Sequence, residues 1–386
     1  MNVMVFSMDF KPKPGGIAEY SHQVARGLSR LGDHVVAVGP EVDGAEAFDR
    51  SCDYAVVRMN EGDPQRRQPW QRIERHLARR KTFLGAVREH EVEHVFLGQW
   101  GLLSWAAAGW AYRKRVPYSV LVHGLEMTSE YRIGARPPKA RQGLKRAELV
   151  FTNSNFTAEA VRGIGVTSER IRLAHPGVDP DDFSPGAVSD EERKRLGILG
   201  RKVVLTVCRL VGRKGVDRSL EAMVEVAKSV PNVTYLIAGD GPDRGRLERL
   251  SSELGLGERV RFLGYIRGAE LLRAYRACDC FLMPALERPG GDVETFGIVF
   301  LEANACAKPA IAGCSGGMVE AVLDGETGLV VNPEEVGEIV KAVKKLLKDR
   351  ELAQRLGEHG RKRVEESLCW DARVRQIHRE IQLLRG

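Results

Sequence analysis

Glu287-Arg-Pro-Gly-Gly-Asp-Val-Glu294-Thr-Phe-Gly297-Ile-Val-Phe-Leu-Glu302 sets two carboxylates, Glu294 and Glu302, eight positions apart across a glycine turn and an apolar run. The run reads as a helix opening over 296–303, shortly after a strand-like segment at 280–283. A strand that turns through glycine into a helix is the repeating unit of a parallel sheet. Its turn also has a chemistry. The first backbone N–H groups of a helix lack carbonyl partners within it, so they point at any anion placed there, and a glycine lets that anion come close. A diphosphate suits such a place. Eight residues is about two and a quarter helical turns, which sets Glu302 beside the far end of a bound ligand and Glu294 at its near end. One end would be a ribose and the other a sugar. Read without a ligand, the stretch is a surface loop and an amphipathic helix with solvated glutamates, so the remaining motifs decide.

Outward from this stretch, short apolar and β-branched runs recur at 3–6, 34–38, 54–57, 94–97, 118–122, 149–152 and 171–174. After Phe183-Ser-Pro-Gly-Ala187 and a charged stretch to Arg195, a second series follows at 203–207, 234–238, 260–263, 280–283, 309–312 and 328–331. Amphipathic segments bearing Arg, Lys and Glu separate them, which is strand–helix alternation. The expectation is an α/β protein of two Rossmann-like domains, 1–187 and 188–367, with closing helices over 333–348, 352–367 and 370–384. A chain of 386 residues, 43% apolar and 29% charged, exceeds what one core usually holds together, in agreement with two domains. Its formal charge of +7 favours an anionic partner without choosing among nucleotide, nucleic acid and acidic membrane. The 7 cysteines are scattered, with no CxxC pair to argue for zinc. They suit buried thiols in a reducing compartment. The first strand begins at Asn2, and no apolar run approaches the ~20 residues of a membrane span. A cytoplasmic location is expected.

Several turns fall at the carboxyl ends of the expected strands, where open α/β sheets bind ligands. Gly15-Gly16 lies between the first strand and a helix over 18–31, and His123-Gly124 follows the run at 118–122. Arg209-Leu-Val-Gly-Arg-Lys214-Gly215 follows the run at 203–207 and carries two cations that would neutralise a pyrophosphate as a sugar leaves. Gly239-Asp-Gly241-Pro242 makes a further turn on that edge. Each has a plain structural reading by itself. Asp179-Pro-Asp-Asp182 contains a DxD, a metal-holding pattern elsewhere, but its place after Pro176-Gly177 favours a turn and no metal. The segment 69–90 carries Arg72, Arg75, Arg79, Arg80, Lys81 and Arg88 beside Trp70, Ile73, Leu77, Phe83 and Leu84. Such a helix either lies on an anionic membrane or covers a core with a solvated basic face. A second basic stretch spans 132–146.

Taken in order, Gly15-Gly16, His123-Gly124, Pro176-Gly-Val-Asp179, Arg209…Lys214-Gly215, Gly239-Asp-Gly241, Glu294-x7-Glu302 and the closing Trp370 segment resemble the retaining glycosyltransferases of family 4, which have the GT-B fold. The resemblance covers essentially the whole chain. The stretch 289–306 with Ala312-Gly-Cys-Ser-Gly-Gly317 is most similar to bacterial phosphatidylinositol mannosyltransferases that use GDP-mannose. The usual Pro-Asn-Gly-Val-Asp turn is replaced by His175-Pro-Gly-Val-Asp179.

The resemblance implies an acceptor-binding first domain, a nucleotide-sugar-binding second domain, a cleft between them, and a final helix within 368–386 that crosses back to the first. It implies that Arg209 and Lys214 hold the diphosphate with backbone N–H groups of Gly16 and of Phe296, Gly297, Ile298 and Val299. Gly15 and Gly239 line the donor site, Glu302 takes ribose hydroxyls, Glu294 takes hydroxyls of the donor sugar, and His123 contacts that sugar by the reacting carbon. No cofactor beyond the nucleotide sugar and no metal is implied, since the leaving phosphate oxygen can take the acceptor's proton on the same face. The expected reaction moves a hexose, mannose from GDP-mannose, to a lipid-linked or membrane-surface acceptor, with peripheral association at the inner face of the plasma membrane. The alternatives are a UDP-glucose or UDP-N-acetylglucosamine enzyme with a soluble acceptor, and a non-catalytic sugar-nucleotide sensor. Nucleic-acid binding has only the net charge behind it.

Overall fold

The computed structural model describes residues 1–60, 69–124, 126 and 138–384, of which 69–72 by their backbone alone. Two compact units divide the chain: Met1–Pro176 with Trp370–Gly386, and Gly177–Cys369.

The first unit is built on a 7-stranded parallel sheet in the order β3-β2-β1-β4-β5-β6-β7. Its strands are β1 (Asn2–Phe6), β2 (His34–Pro40), β3 (Ala55–Met59), β4 (His94–Leu97), β5 (Tyr118–Val122), β6 (Leu149–Thr152) and β7 (Ile171–Leu173). Alternation along β1 divides the core in two. Val3 and Val5 pack with Tyr20, Leu28 and Ile377 on one face, while Met4 and Phe6 pack with Phe83, Trp110 and Leu144 on the other. Burial on both faces explains why these strands read as continuous apolar runs rather than alternating ones. The terminal helix Trp370–Gln382 covers the first of these faces beside the Gly16–Arg30 helix. Gln376 Nε2 donates to the Leu173 carbonyl at 2.8 Å, and Arg172 pairs with Glu380 at 2.6 Å.

The second unit holds a 6-stranded parallel sheet in the order β10-β9-β8-β11-β12-β13. Its strands are β8 (Lys202–Val207), β9 (Val233–Ala238), β10 (Val260–Gly264), β11 (Cys280–Met283), β12 (Ala310–Gly313) and β13 (Gly328–Val331). Helices Val216–Ser229, Ile298–Ala305 and Val336–Lys348 contribute apolar side chains to one shared core. In each sheet the strand order reverses once, between β1 and β4 and between β8 and β11, and such switch points are where open α/β sheets leave a crevice.

Two boundaries differ from expectation. The units divide at Pro176/Gly177 rather than at 187/188, because the segment after Gly177 is tied down within the second unit. Val178 N–H donates to Leu368 O at 2.9 Å, Arg361 donates to the carbonyls of Pro180 and Phe183 at 2.8 Å, and Arg276 donates to that of Ser184 at 2.8 Å. The helix expected over 352–367 runs Arg350–Arg363 and ends in a wide π-type turn at Val364–Leu368 before the chain returns to the first unit.

Candidate active site

At the switch point of the second sheet, the turn after β8 and the long connection after β11 are knit together. Lys214 ends the tight Gly212–Lys214 turn, and the Arg213 carbonyl accepts from Leu286 N–H at 2.8 Å. The Lys214 ammonium donates a short hydrogen bond to Glu294 Oε2, with the two side chains only 10% and 14% exposed. Arg213 stands 3.8 Å from the same Glu294 oxygen and 3.4 Å from Asp292. Burial pushes the Glu294 carboxyl up, but the charge and hydrogen bond of Lys214 and the charge of Arg213 outweigh it, so its pKa lies below the ordinary value near 4.5. The backbone of Glu294 is gripped from the other side. Its carbonyl accepts from Gly317 N–H at 3.2 Å, and a Cβ at Gly316 would lie 2.1 Å from that carbonyl, which is why the loop after β12 carries glycines there.

Immediately beyond lies the first turn of the Ile298–Ala305 helix, capped by Gly297 at φ 91. Phe300 N–H is taken by the Gly297 carbonyl at 3.1 Å. Ile298 and Val299, both partly exposed, supply the first-turn N–H groups that an anion would meet. Phe296 is a core residue, 1% exposed, and fixes where the turn begins. On the same helix Glu302 accepts a hydrogen bond from Tyr275 Oη at 2.6 Å.

The Arg209 side chain is exposed and forms no ion pair or side-chain hydrogen bond among the described residues. Gly239 N–H is spent on the Gly264 carbonyl at 2.7 Å, and a Cβ there would lie 1.8 Å from the Cys208 carbonyl, so this glycine is required by strand-end packing. Asp179 accepts from Asp181 N–H at 2.9 Å, closing the turn in which the DxD lies. Sequence alone gives Arg213 no role apart from that of its neighbour Lys214. Tyr275 carries no signal in the sequence, since a tyrosine on the buried face of an amphipathic helix reads as core.

In the first unit, His123 follows β5 and is 8% exposed. Its Nε2 lies 2.8 Å from the Gly98 carbonyl at the end of β4, so that nitrogen carries the proton and donates. The ring meets Tyr20 edge-on at 5.6 Å, and the His123 carbonyl accepts from Asn153 Nδ2 at 2.9 Å. Gly15 and Gly16, both exposed, open the Gly16–Arg30 helix, and Lys11 pairs with Glu19 at 2.6 Å to tie the preceding loop to it. The cysteines are all free. Cys208, Cys278, Cys280 and Cys306 are buried and Cys314 is exposed. Burial pushes the Cys208 thiol up to about 11 and those of Cys278 and Cys306 up to about 12. Among the described residues no helix is long and apolar enough to cross a membrane.

Comparison with known proteins agrees with this architecture. Residues 14–182 match the family described as Glycosyltransferase Family 4, and residues 188–363 match Glycosyl transferases group 1. The GDP-mannose-dependent alpha-(1-6)-phosphatidylinositol monomannoside mannosyltransferase of Mycolicibacterium smegmatis is 34% identical over 379 residues, 96% of each chain. A GDP-mannose-dependent monoacylated alpha-(1-6)-phosphatidylinositol monomannoside mannosyltransferase of Corynebacterium glutamicum is 30% identical over 372 residues, 95% of this chain and 94% of that one. Among solved structures, Anabaena HepE in complex with UDP and glucose superposes with a TM-score of 0.81 at 21% identity, covering 99% of both chains. The sucrose-phosphate synthase of Thermosynechococcus elongatus superposes with a TM-score of 0.77 at 24% identity, covering 99% of this chain and 98% of that one. With two parallel switch-point sheets, a family match on each, and relatives aligned over nearly their whole length, the chain belongs to the family 4 glycosyltransferases of the GT-B fold.

Proposed function

We propose that this glycosyltransferase moves mannose from GDP-mannose to a phosphatidylinositol-type glycolipid acceptor at a membrane surface, with retention of configuration and without a metal. The observation that carries the reaction type is the Lys214–Glu294 pair, held at the switch point of the second sheet beside the first-turn N–H groups of Ile298 and Val299. A diphosphate set on those N–H groups would take the Lys214 charge as the glycosyl–phosphate bond breaks. Glu294 would then accept hydroxyls of the sugar. Arg213 shares this role with Lys214, and exposed Arg209 is left to meet the donor from solvent. Gly15 and Gly16 would offer backbone contact to the donor, Glu302 would hold the ribose, and His123, with Nε2 committed to Gly98, would present its other edge near the reacting carbon. The leaving phosphate oxygen takes the proton of the attacking hydroxyl on the same face, so no protein nucleophile and no cofactor beyond the donor enters the scheme.

The choice of mannose and of a lipid acceptor rests on relatives at 30% to 34% identity whose names specify both. Surface chemistry supports the membrane. Ile73 and Leu77, one turn apart on the Pro69–Glu89 helix, are 61% and 53% exposed beside exposed Arg80 and Lys81. Leu102, 72% exposed, and Tyr112, 53% exposed, lie on the helix packed against it, followed by exposed Arg113, Lys114 and Arg115. Apolar and basic groups together suit an anionic interface. Of the second basic stretch, 132–137 lies outside the described residues. The cytoplasmic face of the membrane fits this reading, and seven free thiols agree with a reducing compartment. A thermal-shift comparison of GDP-mannose, UDP-glucose and ADP-glucose tests the donor. Ligand at 100 times its dissociation constant stabilises by ~2.7 kcal/mol, so GDP-mannose alone should raise the melting temperature strongly, with EDTA present or absent. A shift confined to UDP-glucose would replace the donor assignment.

A further inference from the structure

Glu302 stands on the Ile298–Ala305 helix with its carboxylate half in the core, and the core side is not apolar there. Tyr275 reaches it from the Ala269–Ala277 helix, its phenol 2.6 Å from Glu302 Oε2 and 3.5 Å from the Val299 carbonyl. The phenol is fully buried and cannot swing. Its ring is packed edge-on by Phe183 at 5.7 Å and tilted against Phe281 at 5.9 Å, and Phe281 in turn meets Phe300 of the Glu302 helix at 5.6 Å. Burial, then the neighbouring Glu302 charge and their hydrogen bond, hold the Tyr275 hydroxyl protonated, so it acts only as a donor towards the carboxylate.

A carboxylate on a flexible glutamate samples many rotamers. A charge-assisted hydrogen bond from an immobile phenol selects one and leaves the outward lone pairs in a constant direction. Two neighbouring hydroxyls on a ribose need such a fixed pair of acceptors, whereas a single hydroxyl can follow a mobile one. We propose that Tyr275 is the positioning residue that makes Glu302 a reader of the vicinal 2′,3′-diol, so that the enzyme distinguishes ribonucleotide from 2′-deoxyribonucleotide donors. The inference rests on the reading of Glu302 as the ribose acceptor and adds what sets its geometry.

Calorimetric titration of the full-length protein with GDP and with 2′-deoxy-GDP supplies the test, because the ratio of the two affinities cancels any general loss of stability in a variant. Wild-type protein should favour GDP by ~10-fold or more, the loss expected when a hydrogen bond to a charged group is removed. Tyr275→Phe should bring the ratio below ~3-fold mainly by weakening GDP, and Glu302→Ala should bring it to about 1. Leu220→Ala loosens the same core away from the ring contacts that hold the phenol, and should preserve the wild-type ratio. A full ratio in Tyr275→Phe overturns the positioning role while Glu302→Ala still reports on the ribose. Equal collapse in Leu220→Ala also overturns it, since core integrity rather than the hydroxyl would be responsible. A wild-type protein that binds GDP and 2′-deoxy-GDP alike contradicts the ribose reading itself.

Discussion

Single side chains carry the site, and they were unequally legible. Lys214 and Glu294 could be picked out because a cation after one strand and a carboxylate after another belong to turns on one sheet edge, and the fold does join them. Arg213 was masked by its neighbour: two adjacent basic residues give no sign of which one turns inward, and here both face Glu294. Tyr275, 27 positions before its partner Glu302, had no local signature. The Glu294 pair has a consequence for stability. Because the folded pKa is depressed, its stabilisation is present above the ordinary carboxylate value near 4.5 and is lost as pH falls through the lower folded value. Glu294→Gln leaves the Lys214 ammonium buried without its counter-charge, and breaking a buried pair typically costs ~3–5 kcal/mol. The variant should therefore melt well below wild type near neutrality. The gap should narrow as the medium is acidified through the lowered folded pKa of Glu294, where the wild-type carboxyl also becomes neutral. A gap that is independent of pH would show that the pair does not hold the turn.

At the scale of elements, every expected strand exists within a residue or two, because strands buried on both faces announce themselves as apolar runs between charged helices. Short helices such as Ala45–Asp49 and Met318–Ala321 were not anticipated, since four or five residues show no period. The Ile298–Ala305 helix opens as its glycine suggested but closes in an unexpected way. Lys308 N–H returns to the Ala303 carbonyl at 2.9 Å, and Ala307, within the four-residue link from helix to strand, takes a left-handed φ of 54. An L-residue pays roughly 1–2 kcal/mol for that conformation, and glycine is the usual occupant. Ala307→Gly should therefore raise the urea midpoint by an amount worth about 1 kcal/mol with an unchanged slope. A lowered midpoint would mean that the Ala307 methyl group contributes more packing than its backbone costs.

For the whole molecule, the two-sheet architecture followed from counting strands, while the boundary between the units did not. Phe183-Ser-Pro-Gly-Ala187 has the composition of a linker, yet Phe183 packs its ring on Tyr275 and its carbonyl is held by Arg361, contacts that no local pattern encodes. The membrane-facing reading also belongs to this scale. Ile73→Asp with Leu77→Asp changes only exposed positions, so donor-induced thermal stabilisation should persist while sedimentation with phosphatidylinositol-containing vesicles falls by ~10-fold or more. Undiminished sedimentation would place the membrane contact elsewhere. The central claim is that mannose leaves GDP-mannose for a phosphatidylinositol-type lipid at the Lys214–Glu294 centre. The direct measurement is incorporation of labelled mannose from GDP-mannose into organic-extractable lipid, in vesicles containing phosphatidylinositol monomannoside. Wild-type protein should form labelled lipid with or without EDTA. Lys214→Ala should lower kcat by ~10²–10³, whereas Glu302→Ala should chiefly raise KM because ribose contacts serve ground and transition states alike. Absence of labelled lipid in the wild type, or wild-type turnover in Lys214→Ala, would contradict the account.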